Sequence, residues 1–350
     1  QKQASLCYKK LSMSKKNSSV LNLKTLKQDK IFLSAYNVFK ENLKSIKKKS
    51  FLVAVSGGPD SLALAALSYV YNKEMKNEVF YVHIDHKIRK NSSREADLIK
   101  KFLKKYNINL NLLSNKNKID NNVQSKARIA RYDLMKKFCE KKKVSFILTA
   151  HHSDDQIETF LIRLSRGSGV QGLSSMRIFT KLDNKRNIVR PFLSLRKKDL
   201  IYISKKTFGK FYVDPSNSNK KYLRTKIRSL KKVLEKSGIT HNQILKSINN
   251  LISTTEIINL YIEKIRKKII FKKRKVIIIK YKEFTKENSE IQLKLLSQSI
   301  KELSKSYYPP RSKKVFNILN ELNSNKRKRL TLSKCSIERV GNFIKLKSEA

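Results

Sequence analysis

Three short runs concentrate the residues able to do chemistry. The first is Ser56-Gly57-Gly58-Pro59-Asp60-Ser61, which follows the apolar run Phe51–Val55 and precedes an apolar stretch from Leu62 to Val70. A strand, a glycine turn and a helix N-terminus in that order make an anion site. Glycines let backbone N–H groups approach a phosphate, and the helix dipole favours negative charge there. The donors are the amides from Gly57 to Ser61 and the hydroxyls of Ser56 and Ser61. The pattern is not a Walker loop, because no Gly-Lys-Ser/Thr follows at the required spacing. Asp60 is an unusual neighbour for an anion and makes sense if it holds Mg²⁺ that bridges phosphates. The plain alternative is a tight turn in which Asp60 or Ser61 caps the helix.

The second run is His151-His-Ser-Asp-Asp-Gln-Ile-Glu158, after the strand-like Phe146–Ala150. Asp154, Asp155 and Glu158 are carboxylates converging near a strand end, suited to holding a metal (Asp154 with Asp60) or a lysine ammonium. Capping explains part of this, with Ser153 and Gln156 fitting a capping box, but leaves the histidine pair and the other acids over. The third run, Tyr81-Val-His-Ile-Asp-His-Lys-Ile-Arg89, ends another strand. Alternation puts His83 and Asp85 on one face and His86 on the other. The run therefore reads as a loop shaping the nucleotide or substrate pocket, with His86 toward the nucleotide, rather than as a zinc site. Arg128 and Arg131, three apart beside Tyr132, suit a phosphate or a stacked base, as do Arg224 and Arg228 one helical turn apart. A solvated basic face explains either pair equally well.

These residues need elements to position them. Strand-like runs at 51–55, 79–84, 108–113, 145–150 and 188–193 alternate with helical patterns near 61–74, 93–106, 122–142 and 154–165. Such alternation predicts an α/β fold with a doubly wound parallel sheet, whose ligand sits beyond the carboxyl ends of the strands. All three runs fall at strand ends. Residues 197–235 read as basic and mostly helical, broken at Asp214-Pro-Ser-Asn217. A long helix follows over 240–270, then a strand from Val276 to Tyr281, helices near 289–305 and 312–323, and strands at 329–337 and 342–347. The expected organisation is a basic N-terminal extension (1–24), a catalytic domain (25–235), a helical connector (236–270) and a small α+β domain (271–350).

Composition narrows the partners. The chain has 350 residues, enough for about two or three domains, and 39% of them are hydrophobic. Its 80 Lys plus Arg against 27 Asp plus Glu give a formal net charge of +53, which points to a polyanion, nucleic acid first. Richness in Lys, Asn and Ile also carries the mark of an AT-rich coding bias. Cys7, Cys139 and Cys335 are far apart and form no C-x-x-C, which argues against a zinc knuckle or a redox pair. No apolar run reaches the ~18 residues needed to span a bilayer. The chain opens on Gln1 rather than Met, so the expectation is an N-terminus missing or processed, and residues 1–24 have no signal-peptide core.

Taken together, these stretches resemble the tRNA(Ile)-lysidine synthetases, ATP pyrophosphatases of the PP-loop superfamily. The matching runs are Ser56–Ser61, Val82–Arg89, Ala127–Tyr132, Thr149–Thr159, Arg163–Leu173, Arg190–Leu193, Asp214–Asn217 and Arg224–Arg228, in the family's order over about 35 to 230. The resemblance implies a ligase that uses ATP to adenylate the C2 oxygen of the wobble cytidine in a CAU anticodon, releasing pyrophosphate. The ε-amine of free L-lysine then displaces AMP, and the tRNA(Ile) reads AUA instead of AUG. Under it, Ser56 to Ser61 and His86 hold ATP, Asp60 and Asp154 hold Mg²⁺, and Asp60, Asp154, Asp155 and Glu158 carry the catalysis. Arg128, Arg131, Arg166, Arg190, Arg224 and Arg228 face tRNA, with Arg166 in a glycine run that lets RNA backbone approach. The chain reads as lacking the further C-terminal module of longer members, so the grip on tRNA falls to 197–350. Cytoplasm or an organelle matrix, a homodimer and no membrane complete the expectation. The alternatives are a thiolase-like PP-loop enzyme, which would need a sulfur-relay cysteine pair, and a non-catalytic RNA-binding protein.

Overall fold

The computed structural model describes residues 23–46, 49–89, 91–115, 123–212, 223–306, 309–324 and 329–349. Within them the chain forms two compact units, one ending at Leu251 and the other beginning at Ile252.

The first unit grows from apolar runs with no polar face. Phe51, Leu52 and Val53 of β1 (Phe51–Ala54) are fully buried, as a central parallel strand covered on both sides requires. The chain opens with α1 (Leu23–Gln28) and α2 (Lys30–Asn42) and, after β1, runs through α3 (Pro59–Met75), β2 (Val79–Asp85), α4 (Ser92–Lys104), β3 (Leu110–Ser114) and α5 (Val123–Lys141). It continues as β4 (Phe146–Leu148), α6 (Ser153–Leu164), α7 (Val170–Leu173), β5 (Phe179–Lys181), β6 (Asn187–Val189), α8 (Lys197–Phe208) and α9 (Leu223–Lys236). The sheet order is β3-β2-β1-β4-β6-β5, parallel except for β5, with Val53 paired to Tyr81 on one side and Leu148 on the other. The order reverses between β1 and β4, so the crevice outside their carboxyl ends is the expected ligand site.

The predicted doubly wound sheet is therefore present, with each of its strands and helices near the expected bounds. Two features escaped the pattern. α2 buries Phe32, Ala35, Tyr36 and Phe39 at helical spacing, and Phe39 packs edge-on to Tyr71 with ring centres 5.7 Å apart. β5 is only three residues long, too short to show periodicity. It turns back through Asp183, whose Oδ1 accepts from the N–H groups of Lys185 and Arg186, 2.9 Å each.

α10 (His241–Ile269) carries the chain into the second unit. There β7 (Ile270–Lys273), β8 (Val276–Lys280), α11 (Tyr281–Thr285), α12 (Ser289–Ser304), α13 (Ser312–Asn323), β9 (Leu330–Leu332), β10 (Cys335–Val340) and β11 (Phe343–Ser348) form an antiparallel sheet of order β7-β8-β11-β10-β9. One face of it buries Ile277, Ile279, Ile337, Ile344 and Leu346 against Leu295, Leu296 and Ile300 of α12. The small C-terminal α+β architecture is as expected, with two corrections. The single strand expected over 329–337 is a hairpin, because Ser333 and Lys334 adopt positive φ and turn the chain. β7 was not foreseen, since its Phe-Lys-Lys end reads as helix surface. Of the expected extension 1–24, residues 1–22 lie outside the described residues, as does the Asp214–Asn217 turn, while Leu23 and Lys24 open α1.

Phe39 is fully buried between two elements and touches the rings of Tyr36, Tyr71 and Phe192. Phe39→Ala is expected to cost about 3–5 kcal/mol in unfolding free energy. The chain has no tryptophan, so denaturation followed by far-UV circular dichroism is the measurement. A loss below about 1 kcal/mol would show that α2 is not anchored through this ring.

Candidate active site

The loop after β1 is built to leave donors for a ligand. Gly57 has φ +87°, a backbone that L side chains adopt only under strain, and a Cβ there would come within 2.6 Å of Ile99 Cδ1, which would have to move. Gly58 is the N-cap of α3, with no side-chain cap, and Pro59 supplies the preset first turn but no N–H. Ser61 Oγ donates to Gly58 O (3.0 Å) and accepts from Ser56 N (3.1 Å), which ties the loop to the helix. Tyr212 N donates to Gly57 O, 3.0 Å. An uncapped helix N-terminus beside a glycine turn is an anion site. Asp60 stands in its first turn. Its Oδ1 is buried and, among the described residues, has no hydrogen-bond partner, as expected of an oxygen reserved for a cation.

The second run meets this loop across the β1–β4 crevice. His152 is extended (φ −128°, ψ −178°) and bridges Phe192, which makes it the N-cap of α6. Asp155 Oδ2 then accepts from His152 N, 3.2 Å. The capping box expected on Ser153 and Gln156 is thus shifted by one residue. Gln156 instead ties down Met176, donating to its O (2.7 Å) and accepting from its N (2.8 Å). The His152 ring is 2% exposed and lies 3.6 Å from Asp60, 3.8 Å from Asp154 and 3.5 Å from Asp155. Burial disfavours its charged form, but Asp60, Asp155 and Asp154 outweigh burial and raise its pKa.

The acids are also met from α9. Arg224 Nε donates to Glu158 (2.8 Å), Arg228 Nε to the same carboxylate (2.5 Å), Arg224 to Asp155 (3.3 Å) and Lys231 Nζ to Asp154 (2.5 Å). Lys197 N donates to the other Asp154 oxygen, 3.0 Å. Burial works against the Asp154 charge, yet Lys231 and the Lys197 amide hold its pKa down to about 2. Each Asp154 oxygen thus accepts a hydrogen bond, whereas Asp60 Oδ1 has no partner among the described residues. Arg224 and Arg228, expected on RNA, lie against the carboxylates. A cavity of about 130 Å³ opens beside them, its aliphatic wall including Ile157, Leu161, Ile227 and Leu234 and its charged rim Asp154, Glu158, Arg228 and Lys231.

The remaining expected residues divide. His86 has both ring nitrogens buried without a partner among the described residues, and burial, Arg131 and His83 bring its pKa down to about 4. Burial drives His151 well below its ordinary pKa, and Arg190, Arg128, Arg224 and Arg131 push the same way, so the ring is neutral amid guanidinium groups. Arg128 is exposed, 5.7 Å from the Tyr132 ring centre. Arg166 is exposed past the end of α6. Arg190 is buried, donating to Arg177 O (3.0 Å) and Thr180 Oγ1 (2.8 Å) to brace β5 and β6. His83 and Asp85 are spent on Val55 O and Ser93. Among the described residues no group of three or more His, Cys, Asp or Glu is arranged to hold a metal. Sequence reasoning missed His152 and Lys231, although the His-His-Ser-Asp-Asp order and the Arg224, Arg228, Lys231 spacing on one helix face were visible signals.

A glycine loop opening an uncapped helix at the switch point of a parallel sheet is the phosphate-binding arrangement of nucleotide-binding α/β proteins, and among these the PP-loop domain family matches residues 32–235. The chain belongs, within that class, to the tRNA(Ile)-lysidine synthase family. It is 34% identical over 297 residues to the tRNA(Ile)-lysidine synthase of Wolbachia pipientis wMel, covering 83% of this chain and 69% of that protein. It is 38% identical over 200 residues to that of Orientia tsutsugamushi, where it spans 56% of this chain and only 43% of the relative's length. The U34-tRNA thiolase NcsA of Methanococcus maripaludis has the same fold, with a TM-score of 0.54, 17% identity, and coverage of 64% of this chain and 79% of that one. Among the described residues no helix is long and apolar enough to cross a membrane.

A raised pKa means that the fold favours protonated His152. Its stabilising contribution is full below the ordinary value of 6.5 and is lost as pH rises through the elevated folded value. The difference in unfolding free energy between the wild type and His152→Gln is therefore expected to be largest in mildly acidic buffer and to shrink above neutrality. Urea denaturation across that range checks it. A difference independent of pH would mean that the ring is neutral and its three acids are balanced by α9 alone.

Proposed function

We propose that the chain is an ATP-dependent ligase that joins free L-lysine to the wobble cytidine of a tRNA(Ile) bearing a CAU anticodon. One observation carries this reading: the uncapped phosphate loop and a ring of carboxylates share one crevice, and an aliphatic cavity with a charged rim opens beside those carboxylates. The loop suits the phosphates of ATP, with amides of Gly58, Asp60 and Ser61 and the Ser56 hydroxyl as donors. Asp60 would hold Mg²⁺ through its unpartnered oxygen. Bound there, the ion would offset charge on the departing pyrophosphate. His86, buried and neutral, is free to accept or donate a hydrogen bond to the nucleotide.

In the first step the cytidine C2 oxygen attacks the α-phosphorus and pyrophosphate leaves. Attack by the lysine ε-nitrogen on C2 then expels AMP with that oxygen, and the nitrogen loses its proton to a carboxylate. The cavity fits lysine by chemistry: the aliphatic wall takes the four-carbon stem, Arg228 and Lys231 suit its carboxylate, and Asp154 and Glu158 suit its ammonium groups. Asp154, fully ionised, serves as an anchor rather than a base. Asp155 and Glu158 are the remaining candidates to accept the proton. Arg128, Arg131 and Arg166 supply cations for the RNA backbone. A sulfur-transfer reading is weaker, because Cys139 is buried and burial pushes its thiol up to about 12, which leaves it protonated.

The test incubates the protein with ATP, Mg²⁺ and radiolabelled lysine, with isoleucine and elongator methionine tRNA transcripts, both bearing CAU, offered separately. ATP-dependent label is expected in the isoleucine transcript alone. Asp60→Asn is expected to lower it by about 10²-fold or more, as for loss of a group that stabilises transition-state charge. ATP cleavage without label in either RNA would overturn lysine as the nucleophile.

A further inference from the structure

The cavity beside α6 already takes a lysyl ammonium, and the chain itself supplies it. Lys231 lines the cavity, and its Nζ donates to Asp154 Oδ1, 2.5 Å. The other Asp154 oxygen is held by the Lys197 amide at the start of α8, 3.0 Å. The three cations that α9 turns toward the acids are not held alike. Arg228 grips Glu158 with two bonds, Nε to one oxygen at 2.5 Å and Nη2 to the other at 3.2 Å. Arg224 spans two acids, with Nε on Glu158 and Nη2 on Asp155. Lys231 meets one oxygen from the end of a flexible stem. A guanidinium fork is preorganised for such paired bonds, whereas an ammonium is a point charge that can swing. Lys231 is therefore the cation best able to let go.

An aliphatic wall and a rim of acids would admit any amine of suitable length, diamines included. Selecting an amino acid requires something that disfavours the amine without a carboxylate. Asp154, held ionised, is an anchor for an ammonium group. With Asp155 and Glu158 kept for the reacting ε-nitrogen, the α-ammonium of the ligand falls to Asp154. Two ammonium groups on one half-buried carboxylate repel each other, so Lys231 has to move aside. Beside an amino acid it moves onto the neighbouring α-carboxylate, and one ion pair is exchanged for two. Beside a diamine it is left without an acid. Glu235, one turn along α9, is exposed and offers only a weak pair.

We propose that Lys231 is the residue that selects an amino acid over an amine lacking a carboxylate: it holds the ammonium position on Asp154 until the α-carboxylate of the ligand draws it off. This role rests on the proposed lysine site.

The experiment titrates the full chain with L-lysine and with 1,5-diaminopentane, which is lysine without its carboxylate, by ligand-observed NMR, without ATP or RNA. Wild type is expected to bind lysine about tenfold more tightly than the diamine, the worth of one hydrogen bond between charged groups. Lys231→Ala is expected to tighten the diamine about fivefold, between the effects of exposed and of buried ion pairs, and to leave lysine within about twofold of wild type. The alanine variant thus loses most of the preference. Lys231→Met keeps the stem without the charge and should behave alike, which covers the case of an alanine variant that fails to fold. Lys231→Arg, whose fork can grip both Asp154 and a neighbour, is expected to weaken both ligands. Lys236→Ala, a control at the exposed end of α9, should change neither affinity.

A lysine-to-diamine preference left intact by Lys231→Ala and Lys231→Met would overturn the proposal. So would diamine binding weakened by either variant, or a wild type that binds the two ligands equally. The two proposals fail separately. An unaltered preference in the variants, with lysine labelling of the isoleucine transcript intact, removes only the role of Lys231. A preference lost in the variants, with no label in either RNA, removes only the ligase reading.

Discussion

Everything at the crevice depends on keeping four carboxylates together. Asp60, Asp154, Asp155 and Glu158 gather where the β1 and β4 loops meet, Glu158 buried and the others half-buried, close enough to repel one another. Three devices offset that repulsion. The N-terminus of α6 turns positive backbone charge toward Asp154 and Asp155. His152 sits between Asp60, Asp154 and Asp155 and is driven toward its charged form by them. α9 lays Arg224, Arg228 and Lys231 along the outer side. Removing any one partner leaves a carboxylate poorly compensated, so the cluster acts as a unit rather than as separate pairs.

This arrangement decides how α9 is held. Ile227 is its one residue that is buried among those described, while Leu230 and Val233 are 47% and 58% exposed. Hydrophobic burial contributes little there, and charge-assisted bonds to Asp154, Asp155 and Glu158 dominate. The same bonds shape the neighbouring cavity, since α9 supplies Ile227 and Leu234 of its aliphatic wall and Arg228 and Lys231 of its rim. α3 is the opposite case. It is buried along Ser61 to Tyr71, so the phosphate loop is mounted on a helix packed into the core while the carboxylates face a lightly buried one.

What the sequence revealed follows from which interactions are local. Buried parallel strands such as Phe51–Ala54 announce themselves as apolar runs, and Gly57 announces a backbone that other residues adopt only under strain, so the sheet and the phosphate loop were legible. The α6 cap was misplaced by one residue because the choice between His152 and Ser153 is made by the Phe192 bridge, 40 positions on. The roles of Arg224 and Arg228 were no more legible. Helical spacing shows that they share a face but not whether that face meets RNA or Glu158. Arg190 offers the same lesson in reverse, since only the β5–β6 hairpin explains why a cation should be buried. β5 itself has three residues, below the length at which alternation can be read.

The net charge of +53 adds a last constraint. A surface this basic attracts any RNA through long-range electrostatics, so charge alone provides little selectivity. The same field would repel a small cation such as lysine. Screening resolves the conflict, because at physiological salt exposed charges act over only about 8 Å. Inside the crevice the nearest charges are therefore Asp154, Asp155 and Glu158 with the α9 cations paired to them, not the lysines of the outer surface. Under the proposed function, scarce acids concentrated at one strand end would let a basic protein hold an anionic macromolecule over its surface and a cationic small molecule at its centre. Of these acids it is Asp154 that Lys231 and the Lys197 amide hold in its charged form.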